Sequence, residues 1–285
     1  MIWLVLSSLL MALSIPVNKY FICHQCPFIT SAIFCFVACC MSLPFFEKTM
    51  FDRRKIWQLM MIGAIEFGLM YGCFQISLQY LASHEAALLL LTTPIYITLI
   101  GIRNKSRQFI ILFSIVILLM FMMVPLVTDK YNMSLSLYGT LFSQLCNVSF
   151  ACGQMMLKRF LKINKNIQLL SCGSILFFGA TIACLPFILF DLSHNLCVQY
   201  DMTYFVNTII FGIIFCWLAH TLWNIGVVRA PISAIAILSN IQIPLSIVLS
   251  CLMFHESIEI FRLILSMIVI GTMVVSSQIL AKEKI

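Results

Sequence analysis

Two stretches of this chain follow one pattern, 150 residues apart. Gly63 to Ile100, GAIEFGLMYGCFQISLQYLASHEAALLLLTTPIYITLI, reads as an apolar helix, a short polar break at Ser83, and a second apolar helix with Pro94 near its middle. Ile213 to Ser250, IIFCWLAHTLWNIGVVRAPISAIAILSNIQIPLSIVLS, repeats that order. The same offset pairs Pro94 with Pro244, Ser83 with Ser233, Ala86 with Ala236 and Leu88 with Leu238. Helices this long and apolar belong in a bilayer, where every backbone polar group has to be satisfied within the segment. The duplication means that whatever the first pair builds, the second builds again.

Composition closes off a soluble alternative. Of 285 residues, 62% are hydrophobic and 9% charged, where a soluble domain carries roughly a quarter charged residues. The apolar runs are too long for transmembrane β-strands. The N-terminus, MIWLVLSSLL, has no basic leader region or small-residue cleavage site and reads as a first span. The expected fold is therefore an all-α integral membrane protein. Its ten helices are expected at about 2–22, 28–46, 57–80, 86–102, 109–127, 136–157, 168–190, 204–228, 232–254 and 260–280.

Basic residues give the orientation. With the N-terminus in the cytoplasm, 14 of the 17 Lys and Arg fall at inner loops, leaving Lys19, Lys130 and Arg262 at outer ends. Membrane topology thus accounts for the net charge of +7 without a nucleic-acid partner. Both termini are expected in the cytoplasm. Five spans per half is an odd number, so the halves, 1–127 and 128–285, run in opposite senses. That is an inverted repeat, the architecture of alternating-access secondary transporters.

Ionisable and polar side chains inside spans mark candidate function. Counting about 1.5 Å per residue, Glu66 lies about 14 Å and His220 about 12 Å from the inner surface. Asn240, Thr93 and Asn147 fall at about 12–15 Å by the same rise. These five form one layer near the midplane. At 3.6 residues per turn Glu66 shares a face with Gly63, Met70, Cys73 and Ser77, and the repeat carries that stripe onto Ile213, Cys216, His220, Trp223 and Val227. Tyr71, Gln75 and Gln79 lie on another face, suited to helix packing. Trp223 and Tyr96 are candidates for the apolar part of a solute. The competing reading is that neighbours simply satisfy Glu66 and His220. Lys19 reads as a snorkelling lysine, with contact to a solute carboxylate as the alternative.

Other chemistries are absent from the sequence. The Cys23-His24-Gln25-Cys26 pair has no second pair, so it is a weak zinc motif, with an outer-face disulfide as the other option. His255-Glu256 is followed by Ser-Ile-Glu, which is not the H-E-x-x-H of a zinc protease, and no G-x-x-x-x-G-K-[ST] is present. Neither an enzyme nor an ATP-driven motor is expected, and no metal or cofactor.

SIPVNKY ending in Lys19, SFACGQMMLKRF at Ser149–Phe160, and the run holding Trp223, Asn224, Pro244 and Glu256 resemble the EamA-type branch of the drug/metabolite transporter superfamily. The acidic residue often found after the family's fourth helix is missing; GIRNKSRQ is basic. The resemblance implies a central cavity walled by helices 1, 3, 4, 6, 8 and 9. It also implies a helix 5 at a lipid-facing or homodimer position. The implied function is inner-membrane transport of a small organic solute, an amino acid or derivative foremost, with a nucleoside-like metabolite or cationic drug as the alternative.

Overall fold

The computed structural model describes residues 2–22, 26–93, 96, 97, 100, 133–193, 201–229, 232–254 and 264. Those residues form helices and short connections. We number the helices α1 Ile2–Phe21, α2 Pro27–Ser42, α3 Arg53–Tyr80, α4 Ser83–Leu89, α5 Met133–Ile163, α6 Leu169–Ser193, α7 Met202–Val227 (helical on to Arg229) and α8 Ile232–Phe254. Five segments are long and apolar enough to cross a membrane: Ile2–Phe21, Pro27–Phe45, Arg53–Tyr80, Leu169–Leu189 and Met202–Val227. The expected spans at 109–127 and 260–280 lie outside the described residues, apart from Ile264.

Local chemistry explains the boundaries. Helix α3 begins four residues earlier than expected because Asp52 caps it, its carboxylate accepting the Lys55 backbone N–H at 2.8 Å. Helix α5 runs to Ile163, past the expected end at 157. Lys158, Arg159 and Lys162 are good helix formers and continue the helix beyond the apolar stretch. The expected break before Ser83 is present: Leu81 and Ala82 are extended, and Glu85 accepts the Ala82 N–H at 2.8 Å. Hydroxyls within the spans fold back onto the preceding turn. Thr30, Ser31, Ser42 and Thr208 each donate to the carbonyl four residues earlier, so none is left unbonded.

Two helices depart from α geometry. Helix α3 widens into a π turn at Ala64–Leu69, and α7 does so at Gly212–Leu218. The 150-residue offset maps the first onto Ile214–Ala219, so the two turns overlap in the repeat frame.

Packing follows small residues. Helices α3 and α6 meet backbone to backbone through two glycines. A Cβ on Gly63 would stand 2.6 Å from Leu176 Cα, and one on Gly179 would stand 2.7 Å from the Met60 carbonyl carbon. In lipid, this close approach supplies the van der Waals contact that associates helices. Helix α2 lies along α6, α5 packs on α3, and α1 sits between α7 and α8. Gln75 on α3 donates to Asn18 on α1 at 3.0 Å, tying those two helices together.

Candidate functional site

Six helices line a central cavity of about 100 Å³. Its wall comes from α1 (Met11, Ser14, Ile15), α3 (Met70, Tyr71, Phe74), α4 and its continuation (Leu90, Thr93, Ile97), α5 (Cys146, Asn147, Phe150), α7 (Phe211, His220, Trp223) and α8 (Gln242). In the span order expected from sequence these are the first, third, fourth, sixth, eighth and ninth. No Asp, Glu, Lys or Arg is among the described wall residues. Polar contact is left to a few neutral groups set among aromatic rings.

Asn147 is held in one orientation. Helix α4 tightens into a 3-10 turn at Leu90–Thr92, and the Asn147 amide nitrogen donates to Leu89 O at 2.9 Å and to Thr92 Oγ1 at 3.0 Å. A carbonyl can only accept, so the amide nitrogen must face Leu89. Its oxygen Oδ1 is left buried and without a partner. Gln144, one helical turn away, fixes the same corner by accepting from Thr92 Oγ1 at 2.8 Å and Tyr96 Oη at 2.9 Å. Thr93 lies on the cavity wall, while Tyr96 braces it from behind.

The π turn in α7 orients His220. Phe215, inside that turn, presents its carbonyl to His220 Nδ1 at 3.0 Å. Nδ1 is therefore the protonated nitrogen of the neutral ring and Nε2 its acceptor. Tyr71 Oη stands 3.3 Å from Nδ1. The rings of Phe67, Tyr71 and Phe150 meet the imidazole edge-on at centroid distances of 5.2, 5.7 and 6.3 Å. Trp223, one turn on, is 2% exposed, and its indole N–H has no acceptor.

Glu66 sits apart from this wall. It is fully buried; Oε1 accepts from Gln154 Nε2 at 2.7 Å, and Oε2 has no partner. Gln154 Nε2 also reaches Asn224 Oδ1 at 2.9 Å. Asn224 faces a second, smaller cavity of about 20 Å³ between α2, α3, α6 and α7, which Thr221 and Trp217 also line. The adjacent Trp223 and Asn224 thus front different cavities, with the Glu66–Gln154 pair bonded to the second. Gly153 makes room for Glu66, since a Cβ there would lie 2.7 Å from Glu66 Cα.

The seven residues singled out from sequence therefore separate. Thr93, Asn147, His220 and Trp223 share the central cavity, Tyr96 supports it, and Glu66 lies in the neighbouring polar cluster. The Asn240 side chain lies outside the described residues. The expected common face of Glu66 and Met70 is lost at the π turn. Its extra residue rotates everything beyond it by about 100°, which brings Met70, Tyr71 and Phe74 to the cavity and leaves Glu66 behind. Gln144 and Gln154 were not singled out. With Asn147 they form a polar stripe at helical spacing on α5, a signal readable in the sequence. Lys19 donates to the Leu78 carbonyl near the C-terminal end of α3 and is not on the cavity wall. Cys26 is one half of a disulfide, and Cys23 lies outside the described residues.

Membrane-spanning helices around a chiefly apolar central cavity have the form that a small-molecule transporter requires. Residues 1–128 match the EamA-like transporter family, the family that the chain's motifs resemble. It is 24% identical over 235 residues to a probable biotin transporter of Pseudomonas aeruginosa PAO1, covering 79% of this chain and 77% of that protein. The biotin transporter of Salmonella typhimurium LT2 is 23% identical over 262 residues, covering 89% and 84%. That of Escherichia coli K12 is 23% identical over 222 residues, covering 75% and 71%. A protein crystal structure shares the fold at a TM-score of 0.63 and 17% identity, covering 99% of this chain and 96% of the other.

Proposed function

We propose that this protein is an inner-membrane secondary transporter, built as ten spans in two inverted five-helix repeats, that moves a small, mainly apolar metabolite by alternating access. Biotin is the first solute to test. The observation that carries this is the cavity wall: aromatic and aliphatic, with neutral polar groups and no fixed charge among the described residues. An amino acid puts two opposite charges on one carbon, and burying both in such a wall leaves them without counter-charges. Biotin is a compact bicyclic amide-bearing head, with its one charge at the end of a methylene chain long enough to lie beyond the wall. The relatives named as biotin transporters favour the same solute, and nothing among them supports the amino acid expected from sequence.

Support for the repeat comes from the overlapping π turns and from the family match ending at residue 128, beside the expected junction. Cytoplasmic termini rest on the distribution of Lys and Arg. In this reading Thr93, Asn147, His220 and Trp223 touch the solute, Tyr96 positions the α4 wall, and Asn240 retains its expected place near the midplane. Glu66 serves the transport cycle without touching the solute. The test is counterflow of labelled biotin in proteoliposomes. Saturable exchange above protein-free vesicles is expected. Absence of exchange for biotin and for a panel of amino acids, nucleosides and organic cations would remove the transporter reading itself.

A further inference from the structure

Three buried polar atoms of cavity-lining residues lack protein partners, and the His220 ring keeps one nitrogen as an acceptor. Asn147 Oδ1 and Gln242 Oε1 are buried acceptors with no donor, and Trp223 Nε1 is a buried donor with no acceptor. His220 Nε2 is the acceptor left over once Nδ1 is committed to Phe215. Buried polar groups are normally satisfied, and leaving each one open costs on the order of 1–3 kcal/mol. Their concentration around one cavity, from α5, α7 and α8, defines what would satisfy them. Asn147 Oδ1, Gln242 Oε1 and His220 Nε2 accept, Trp223 Nε1 and the Tyr71 and Thr93 hydroxyls donate, and this mixture complements a solute that offers both N–H groups and a carbonyl.

We infer that the cavity recognises a neutral cyclic urea or similar cis-amide head, its carbonyl accepting from Trp223 Nε1–H and its N–H groups donating to Asn147 Oδ1 and to Gln242 Oε1 or His220 Nε2. This rests on the transporter reading above and specifies the chemistry of that same site. The aromatic rings of Phe150, Tyr71 and Phe74 flank the flat head, and the acidic tail of such a solute is not the recognised part.

Competition in proteoliposomes separates head from tail. Labelled biotin flux by the unaltered protein is challenged with desthiobiotin, which keeps the cyclic urea and the acidic chain but lacks the thioether ring. It is also challenged with lipoate, which has an acidic chain and no urea. Desthiobiotin should compete within a few-fold of biotin, and lipoate should not compete at tenfold higher concentration. Trp223→Phe keeps the ring and removes only the N–H, so it should raise the KM for biotin roughly tenfold, the weight of one buried hydrogen bond, with kcat little changed. Equal competition by lipoate would overturn the inference while leaving biotin transport standing. So would an unchanged KM in a folded Trp223→Phe protein. Flux only of solutes with no urea or amide head would also overturn it and keep the transporter reading. No flux of any solute would remove both.

Discussion

Glu66 offers the sharpest separation of folding from transport. Its Oε1 accepts one bond, from Gln154, and no donor points at Oε2. Glu66→Gln keeps the accepting oxygen and exchanges one unpartnered oxygen for one unpartnered NH2, so the number of open polar groups is unchanged and stability should move by less than about 1 kcal/mol. Glu66→Ala removes the acceptor, but Gln154 keeps Asn224 at 2.9 Å. The loss is then one net hydrogen bond of about 1 kcal/mol plus the void left by the carboxyl group, about 1–3 kcal/mol in all. Thermal unfolding in detergent should rank the proteins wild type, Glu66→Gln and Glu66→Ala in falling order, with the first two close. Transport should rank them differently. An ionised carboxylate with one donor and no cationic partner among the described residues is expensive in hydrocarbon. Proton uptake and release at Glu66 would therefore follow the wetting and drying of the second cavity beside Asn224. Under an imposed pH gradient at matched membrane potential, wild-type protein should concentrate its solute, whereas Glu66→Gln should exchange solute without concentrating it. Accumulation by Glu66→Gln equal to wild type would refute this role. A wild type that only equilibrates its solute would establish passive transport.

Three further outcomes test the architecture. Gly153→Ala places a Cβ against the backbone of Glu66, so α3 and α5 must separate; the cost is about 1–3 kcal/mol, read as a lowered melting temperature, and an unchanged melt would contradict the packing described. Reporter fusions after Ile285 and between Ser193 and Asp201 should report cytoplasmic and external faces respectively, and the opposite pattern would reverse the expected orientation. At the α3 cap, the Lys55 backbone N–H holds the Asp52 carboxyl below its ordinary value. A depressed folded-state value contributes stability at neutral pH that is lost as pH falls through the acid range, so the melting difference between wild type and Asp52→Ala should shrink on acidification below the ordinary carboxylate value; a gap that widens would show the sign to be wrong.

Most of the helices were readable because hydrocarbon admits few alternatives to a closed helix. Apolar length located α1, α2, α6 and α7, and the break at Ser83 was visible in its short polar turn. What escaped was rotation about the helix axis. A reading at 3.6 residues per turn assumes a constant phase along the span, and α3 and α7 both violate it inside the stretch that carries their ionisable residue. In α3, Glu66 lies within the π turn and Tyr71 just beyond it, so the two exchange the roles that a straight helix would give them. In α7, the turn at Gly212–Leu218 ends two residues before His220, and its Phe215 carbonyl becomes the acceptor that fixes the imidazole. No residue type encodes a π turn strongly, since neighbouring helices must fill the extra width, here with Gly153 facing Glu66. The two turns nevertheless overlap when the halves are aligned on Pro94 and Pro244, although the sequences across them share little. Each turn sets the aim of the ionisable residue in its helix: the α3 turn holds Glu66 within it, and the α7 turn presents the Phe215 carbonyl that fixes His220.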